Sequence, residues 1–428
     1  MSERALIVTY YWPPSGGAGV QRPLKFAKYL PQFDIQPFVL TVENPTYPIR
    51  DESLESDIPE EVEVFKSNTI EPFSLYSRLV GKSVADSTKP TIQLKSGSWS
   101  AKLSAWIRAN IFLPDARAGW LLSARSSALS IVEEHDIGTI ITTGPPHSVH
   151  FTGKHVKERT GIRWIADFRD PWTGVYYNKL MPRTSLARHI DEKLEKSILQ
   201  NADEVVVISD SMVDIQRKII DRTYHVIPNG FDPDDFQPGN FKPENRSESQ
   251  LTIRFVGSVR DGAIPDGFLR ALARLKNPGK YRMEFIGNHH PSLREWVDEL
   301  DLRDVVELKP YVPHEEAIRA MCTADLLLLS ISKTPGSELI LTGKLFEYLG
   351  SGTPILFLGT VNGDAAQIIR KAGQGVCFEH HQVPEITEFL EHYSRSEAQA
   401  YKQPQGQKEH PFSRLRLTRQ LGELISNR

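Results

Sequence analysis

The chain has 428 residues, of which 39% are hydrophobic and 25% are charged, and its net charge at pH 7 is −3. This length exceeds the size at which one hydrophobic core stops growing, so two domains are expected, and the composition is that of an ordinary globular protein. The balanced charge, without a basic run, argues against nucleic acid as the main partner.

Cysteine usage and the first residues indicate a compartment. Cys322 and Cys377 lie far apart and have no metal-ligand spacing, which is typical of free thiols in a reducing cytoplasm. Met1–Val8 predicts a first strand, because a secretion signal has a longer apolar region. No apolar run approaches the roughly 18 residues that cross a bilayer. We therefore expect a cytoplasmic protein, with peripheral contact at the inner membrane face left open.

In the first half of the chain, apolar runs of strand length alternate with amphipathic stretches of helix length, as in parallel sheets with crossover helices. The apolar runs predict strands at Ala5–Thr9, Pro37–Val42, Thr139–Thr143, Arg163–Asp167, Glu204–Ile208 and Tyr224–Ile227. The amphipathic stretches predict helices at Gln21–Leu30, Ala118–His135, Ser148–Thr160, Arg188–Asn201 and Ser211–Ile220. This half therefore predicts one doubly wound α/β domain.

The region Asn44–Ile111 interrupts the alternation with Pro-rich turns and a polar Gly/Ser patch around Lys95–Ser100. It also contains an amphipathic piece, which places four large apolar residues on about one helical face: Trp99, Leu103, Trp106 and Ile107. We expect this face to be internal packing, and contact with an acceptor or a lipid is the alternative.

The second half of the chain repeats the same pattern. Its strands are predicted at Thr252–Gly257, Arg282–Ile286, Val305–Leu308, Asp325–Ser330, Pro354–Phe357 and Gly375–Phe378. Pro, Asn, Asp and Gly crowd together at Pro228–Asn245, which predicts the domain boundary, and Pro411–Asn427 predicts a last basic amphipathic helix. We therefore divide the chain into residues 1–228, 229–410 and 411–428.

A glycine-rich loop that includes Gly16 and Gly17 follows the first predicted strand. Glycines let a backbone pass close to a ligand, and the next helix would direct its N–H groups at the same point. Gly17-x-Gly19-x-x-Arg22 matches half of a dinucleotide fingerprint, with an arginine where the third small residue belongs. A structural tight turn and an NAD-dependent dehydrogenase remain open as alternatives.

Polar and aromatic residues gather where two strands of the first half end. The cluster consists of His147, Asp167, Arg169, Asp170 and Trp172. Open α/β sheets bind ligands at the carboxyl ends of their strands, so a catalytic or acceptor-side role is expected. The alternative is a self-contained salt bridge between Arg169 and a neighbouring aspartate. Aromatic rings can stack on sugar faces, so Trp172 and, in the first loop, Trp12 are candidates for acceptor binding.

Two strand exits in the second half carry a glycine, namely Gly257, which Arg260 follows, and Gly287. An arginine directly after such a strand can reach a diphosphate. The two histidine doublets of this half lack a third ligand at helical or turn spacing, which favours solvated loop histidines over a metal site. No metal or other cofactor is therefore expected.

The run from Thr342 through Gly343 and Lys344 to Glu347 places a Gly-Lys pair at the start of a short helix and a glutamate one turn later. The free N–H groups and partial positive charge of a helix N-terminus suit a phosphate. Lys344 would add a full charge, and Glu347 could accept hydrogen bonds from vicinal hydroxyls such as those of a ribose. The pattern predicts a site for a nucleotide joined to a sugar.

Taken in this order, the motifs resemble the GT-B glycosyltransferases, specifically the large retaining family four, also called glycosyl transferases group 1. The resemblance rests on the Pro-Pro-x-Gly-Gly loop, on Asn201–Asp232, on Ala324–Ser330 and on Lys344–Pro354. It implies two doubly wound Rossmann-like domains that face each other across a cleft. The first domain would lie on the acceptor side, the second would bind a nucleotide sugar, and the last helix would cross back to the first domain.

The resemblance also implies an activity. The enzyme would move a sugar from a UDP- or GDP-sugar to a saccharide or lipid-linked saccharide with retention and without a metal, in cell-surface or exopolysaccharide glycan synthesis. Glu347 matches the second glutamate of the family's paired motif, whereas the first position holds Leu339, beside Glu338. Because this acid is missing, a catalytically silent protein that binds nucleotide sugars remains an alternative.

Site roles follow from the motifs and the resemblance together. We assign catalysis to His147, Asp167, Arg169 and Asp170, and acceptor binding to Trp12 and Trp172. We assign donor binding to Gly16, Gly17, Arg260, Gly287, Thr342, Gly343, Lys344 and Glu347.

Overall fold

The structure, a computed structural model, describes residues 2–43, 50–69, 99–174, 181–236, 250–260 and 262–427. The chain divides into two compact units: the first contains Met1–Pro228 and Leu417–Arg428, and the second contains Asn229–Arg416. Most of the Gly/Ser patch predicted near Lys95–Ser100, and much of the boundary segment after residue 236, lie outside the described residues.

The first unit is built on a parallel sheet whose strand order is β3-β2-β1-β4-β5-β6-β7. Its apolar strands are buried on both faces, as the residues of β1 from Ala5 to Val8 are, because helices cover the sheet on each side. The strands are β1 Glu3–Thr9, β2 Ile35–Val42, β3 Glu63–Ser67, β4 Thr139–Gly144, β5 Arg163–Phe168, β6 Glu204–Val207 and β7 His225–Val226.

Two crossover helices of the first unit begin at side-chain caps. Thr184 accepts a hydrogen bond from the Ala187 N–H, and Ser209 accepts one from the Met212 N–H, which satisfies orphan donors at two helix starts. The helices are α1 Ala18–Tyr29, α2 Trp99–Asn110, α3 Leu121–Glu134, α4 His150–Thr160, α5 Ser185–Asn201 and α6 Asp210–Arg217.

The second unit is built on a parallel sheet of order β10-β9-β8-β11-β12-β13, the strand order of a doubly wound dinucleotide-binding fold. Its strands are β8 Leu251–Val256, β9 Tyr281–Ile286, β10 Val306–Lys309, β11 Leu326–Ser330, β12 Ile355–Leu358 and β13 Gly375–Phe378. Its helices are α7 Asp266–Ala273, α8 Pro291–Glu299, α9 His314–Cys322, α10 Gly343–Ser351, α11 Asp364–Ala372, α12 Val383–His392 and α13 Arg395–Tyr401.

Hydrophobic cores lie on both faces of the second sheet. One core joins Phe268 of α7, Leu293 of α8 and Leu390 of α12. The other joins Met321 of α9, Phe346 of α10 and Ile369 of α11. Because helices cover both faces of the sheet, the loops that follow its strands form the surface at its carboxyl edge.

The last helix, α14 (Arg414–Ser426), contributes Leu417, Leu421 and Ile425 to the core of the first unit, together with Leu24 of α1. The spacing of four residues places these side chains on one helical face. That face explains why Leu417–Arg428 belong to the first unit.

Helix α2 corrects one prediction. Its large residues were expected inside, but Trp99 is 75% exposed, Trp106 is 43% exposed and Leu103 is 40% exposed. The residues of α2 that are buried are small ones, Ala105 and Ala109, so this helix packs closely through alanines and leaves its tryptophans outside. Across the described residues, no helix is both long and apolar enough to cross a membrane.

Candidate active site

In each unit, predicted site residues gather at the carboxyl ends of the strands, where parallel α/β sheets bind ligands. In the first unit, the ends of β4 and β5 bring together His147, Asp167, Arg169, Asp170 and Trp172. In the second unit, the loops after β8 and β9 and the start of α10 carry the predicted donor residues. Each group is described within its own unit.

Asp167 forms a buried ion pair with Arg22, and both side chains are at most 2% exposed. Arg22 Nη2 donates to Asp167 at 2.7 Å, Arg22 Nε donates at 3.0 Å, and Thr143 Oγ1 adds a third donor at 2.7 Å. Arg22 also donates from Nη1 to the Pro228 carbonyl at 2.9 Å. The salt bridge that we had considered for Arg169 therefore belongs to Arg22, whose side chain joins α1 to β5.

Arg169 is held by backbone carbonyls. Its Nε donates to the Gly144 carbonyl at 3.2 Å, and its two terminal nitrogens donate to the carbonyls of Gly19 and Pro145. Within α1, the Gly19 carbonyl lacks its helical donor because Pro23, four residues later, has no N–H. The guanidinium of Arg169 supplies that donor, so α1 and the turn after β4 together fix its position.

His147 stacks on Trp172, with ring centroids 5.0 Å apart and ring planes 1° from parallel. Burial, with the nearby His150 and Arg169, holds the pKa of His147 well below its usual range, so the imidazole is neutral at physiological pH. Within the described part of the chain, its buried Nδ1 has no hydrogen-bond partner. A neutral imidazole at a strand end can exchange a hydrogen bond with a hydroxyl group.

Neither predicted acceptor-binding tryptophan offers an open ring face. Trp12 is 1% exposed and Trp172 is 3% exposed, and the Trp172 Nε1 donates to Asp191 at 2.8 Å. Asp170, in contrast, is exposed at the end of β5. The tryptophans are therefore packed beneath the surface of this edge. Stacking of a sugar on them remains a prediction.

Asp115 positions the turn that carries His147, and no pattern in the sequence predicts this role. Its carboxylate accepts the Ser148 N–H at 2.8 Å, the Ser148 hydroxyl at 2.9 Å and the Arg117 N–H at 2.9 Å. Burial raises the pKa of Asp115, and the Ser148 and Arg117 bonds oppose that rise. Asp115 lies 33 residues from Ser148, so no local pattern could have linked the two.

The glycine loop of the first unit ends at the start of α1. Gly17 occupies the N-cap position with φ 95°, and no side chain caps the helix. A Cβ at Gly17 would meet nothing within 4 Å, and Gly16 before it is partly exposed. The first N–H groups of α1 are therefore open to a ligand that approaches over these glycines.

In the second unit, Lys344 lies across the backbone of Gly257. A Cβ at Gly257 would come within 2.3 Å of the Lys344 Cε, and the Lys344 Nζ lies 4.2 Å from the centre of the Phe255 ring. Burial lowers the pKa of Lys344 to about 8; the charge of Glu347 opposes this shift and that of Arg260 adds to it. The ammonium is therefore poorly compensated, and an anion nearby would stabilise it.

Gly257 and Gly287 adopt backbone angles that side chains rarely reach, with φ of 131° and 136°. A Cβ at Gly287 would lie 2.5 Å from the Gly257 carbonyl oxygen. The two loops stay in contact further on, where the Val259 N–H donates to the Asn288 carbonyl at 2.9 Å. Only glycines permit this close pairing, which leaves room for the Lys344 side chain.

Two hydroxyl groups near this edge lack partners. The Oγ1 of Thr342, at the N-cap of α10, and the Oγ of Ser330, at the end of β11, are buried and accept or donate no hydrogen bond among the described residues. Thr342 does not cap its own helix, and a Cβ at Gly343 would meet nothing within 4 Å. The N-terminus of α10 is therefore suited to bind an anion.

Glu347 lies one turn after Lys344 on α10, half-buried. Burial raises its pKa; His314, Arg414 and Lys344 oppose that rise, whereas Asp235 adds to it. A half-buried carboxylate with few neutralising bonds is well suited to accept hydrogen bonds from sugar hydroxyls.

Arg260, which we assign to donor binding, is exposed. Glu338, the acid beside the first glutamate position of the family motif, is exposed as well. Glu338 lies in the short turn Ser337–Leu339, and its backbone contacts Gly363. Leu339 is partly buried.

Both cysteines are free, and burial raises the pKa of Cys322 to about 12 and that of Cys377 to about 11. Among the residues that the structure describes, no three His, Cys, Asp or Glu side chains group to hold a metal ion.

Two protein-family models match adjoining parts of the chain. Glycosyltransferase Family 4 matches residues 95–235, and Glycosyl transferases group 1 matches residues 236–408. Together they span well over half of the sequence. Among curated proteins, none matches this sequence.

Solved structures agree with these models. HepE from Anabaena, in complex with UDP and glucose, is 13% identical with a TM-score of 0.60, and a glycosyltransferase from Rickettsia africae is 14% identical with a TM-score of 0.64; both match over 100% of each chain. WaaG, a glycosyltransferase involved in lipopolysaccharide biosynthesis, is 15% identical with a TM-score of 0.54, over 99% of this chain and 100% of that one. With its two doubly wound parallel sheets and both family models, this chain belongs to the group 1 glycosyltransferases of the GT-B fold.

Proposed function

We propose that this glycosyltransferase transfers a sugar from a UDP- or GDP-sugar, with retention, to a saccharide or lipid-linked saccharide. The product would be a cell-surface or exopolysaccharide glycan. The observation that carries the proposal is the open N-terminus of α10, with Lys344 laid across Gly257 and Glu347 one turn later. Fold neighbours whose structures were solved in complex with UDP add support.

The donor would bind against the second unit. Its diphosphate would lie at the N–H groups of Gly343 and Lys344, with Arg260 and the Thr342 hydroxyl in reach, and Glu347 would hold the ribose. As the bond to the sugar breaks, charge grows on the departing diphosphate, and fixed donors at that position lower the barrier. These groups would stabilise the departing diphosphate without a metal, so transfer should persist in excess EDTA.

Nucleotide affinity tests this placement. Glu347→Ala should weaken UDP or GDP binding by on the order of 1.5–3 kcal/mol, because charge-assisted hydrogen bonds to the ribose are lost. The matched control is Glu388→Ala, an exposed glutamate of α12. Titration calorimetry with UDP and GDP measures both variants. Equal affinity of folded Glu347→Ala and wild type would remove Glu347 from the ribose site.

A catalytically silent binding protein is the second candidate, because Leu339 stands where the family places its first glutamate. The two candidates differ in turnover. An enzyme should hydrolyse a bound nucleotide sugar slowly even without an acceptor, whereas a binding protein should release it intact. Chromatography of a saturated mixture over hours distinguishes them.

The acceptor would approach the first unit past His147 and Asp170. His147→Ala and Asp170→Asn should depress transfer far more than donor affinity, because these side chains would act on the partner that receives the sugar. Near-normal transfer in both variants would leave Asp167 and Arg169 with the structural roles that their contacts already give them.

Peripheral membrane contact fits the exposed face of α2, now that Trp99, Leu103 and Trp106 lie outside the core. If the acceptor is lipid-linked, this face would hold the enzyme near it. Sedimentation with anionic vesicles should recover wild-type protein and lose a Trp99→Ser/Trp106→Ser variant. Equal recovery of both would remove α2 from membrane binding.

A further inference from the structure

The turn after β5 is held by two carboxylates that the donor and acceptor roles do not use. Asp191 and Glu195 lie four residues apart on α5, face the turn, and are both 0% exposed. The Trp172 Nε1 donates to Asp191 at 2.8 Å, the Thr173 N–H donates to Glu195 at 3.1 Å, and the Thr173 hydroxyl also donates to Glu195. One helix therefore fixes two consecutive residues of the turn.

The turn is also confined from a second helix. A Cβ at Gly174 would lie 2.7 Å from the Ile215 Cγ2 of α6, so this residue passes α6 at a distance that admits no side chain. On the side of α5, Arg183 donates to the second oxygen of Asp191, which orients that carboxylate toward Trp172. The turn is thus held between α5 and α6.

Trp172 connects this turn to His147. Trp172 stacks on His147 with planes 1° apart, while the buried Nδ1 of His147 finds no partner in the described part of the chain. Stacking therefore helps to orient the His147 ring, which also lies against Phe168 at 5.9 Å and His150 at 6.0 Å, less nearly parallel than Trp172. A shift of the Trp172 indole would shift the imidazole with it.

We propose that Asp191 and Glu195 are positioning residues for the acceptor side of the transfer reaction. They fix the turn at residues 171–174, and Trp172 passes that constraint to the ring of His147. The proposal rests on the proposed function, in which His147 faces the acceptor.

The groups around Glu195 make the strength with which it holds the turn depend on pH. Its carboxyl faces Trp172 and Thr173 from the turn, Asp191 from its own helix, and Tyr224 from the segment before β7. Burial raises the pKa of Glu195 to about 7; the Thr173 bonds oppose the rise and the charge of Asp191 adds to it. The ionised form accepts the Thr173 donors more strongly. The turn should therefore be held more firmly above neutral pH than below it.

Variants of α5 test the proposal, with donor affinity and transfer measured on the same proteins. Glu195→Ala should lower kcat for transfer roughly 10- to 100-fold, as expected when a reacting group is misplaced by about an ångström. Its UDP affinity should change less than about twofold. Glu195→Gln keeps an acceptor for Thr173, so it should recover most of kcat and lose the pH dependence near 7. Glu192→Gln, an exposed neighbour on the same helix, should match wild type.

A readout without turnover separates this proposal from the proposed function. In NMR of ¹³C-labelled histidine, with the His147 signal identified from His147→Ala, the wild-type ring should stay neutral down to low pH. Glu195→Ala and Trp172→Phe should move the pKa of His147 toward its usual range, and Glu192→Gln should not. If wild type transfers no sugar but this shift occurs, the proposed function fails, and what stands is that Asp191 and Glu195 position the His147 ring.

Two results would overturn the positioning. One is a folded Glu195→Ala with kcat and pH profile within twofold of wild type. The other is an unchanged His147 titration in both Glu195→Ala and Trp172→Phe. Trp172→Phe keeps an aromatic ring beside His147 but removes the N–H that Asp191 accepts, together with part of the indole, so it provides a second test if Glu195→Ala does not fold.

Discussion

Raising the pH above 8 should weaken UDP binding through Lys344. In the free protein, burial lowers the pKa of this lysine to about 8. A diphosphate at the N-terminus of α10 would stabilise the ammonium and return its pKa toward about 10.4, the value of an exposed lysine. Binding therefore takes up a proton wherever free Lys344 is neutral and bound Lys344 is charged.

The magnitude follows from these two pKa values. At pH 7 and below the lysine is almost fully charged in both states, so its contribution to affinity is nearly constant there. At pH 9 about nine-tenths of the free protein has neutral Lys344, which weakens UDP about tenfold relative to pH 7, or about 1.4 kcal/mol. The phosphates of the nucleotide add no comparable slope, because the second pKa of a phosphate is about 6.

Calorimetry at pH 7, 8 and 9, in two buffers of different ionisation enthalpy, measures both the affinity and the proton uptake. Wild type should take up about 0.9 proton at pH 9, by the same linkage. Lys344→Met should bind more weakly at pH 7 and lose the slope, whereas Lys371→Met, at an exposed lysine of α11, should keep it. Affinity independent of pH in wild type, or an equal slope in Lys344→Met, would refute the placement of the diphosphate.

Three further outcomes are expected. Gly257→Ala should weaken UDP at least about tenfold in calorimetry, because its Cβ would displace Lys344. Asp167→Asn should destabilise the protein by about 3 kcal/mol in urea unfolding, since it leaves Arg22 buried without its counter-charge. Burial raises the pKa of Glu195 from about 4.5 to about 7, so the folded state holds a proton that the unfolded chain releases, and stability falls across that window as pH rises. Glu195→Gln should therefore match wild type at pH 4 and exceed it at pH 8, by about 3 kcal/mol.

Most strands could be predicted from the sequence because parallel strands covered on both faces are almost continuously apolar. The run near Ala5 and the run near Leu327 are examples, and their predicted and observed bounds differ by two residues or fewer. Strand β3, at Glu63–Ser67, was not predicted because it is an edge strand in which Ser67 is the buried residue. A short strand with exposed charges carries no such signal.

The grouping of Thr342, Gly343, Lys344 and Glu347 could be predicted because these residues lie close together in sequence, at the start of one helix. The contacts within the first-unit cluster could not, since they join distant segments: Arg22 and Asp167 are 145 residues apart. Asp191 and Glu195 did leave a signal. They fall on the same helical face as the buried Ala187 and Ile198, at spacings of three and four, which marks them as inward carboxylates in a run of otherwise exposed charges.

The two strand edges differ in how their charged groups are compensated. In the first unit, the charges of Arg22 and Asp167 satisfy each other, and the unpartnered atoms among its described residues include neutral ones, such as the Trp12 Nε1 and the His147 Nδ1. In the second unit, a helix N-terminus and the Lys344 ammonium lie side by side. A neutral, hydroxyl-rich ligand suits the first edge, because it adds hydrogen bonds without adding charge. A diphosphate suits the second, because it neutralises a cation that burial has made costly. This difference supports assigning the acceptor to the first unit and the donor to the second.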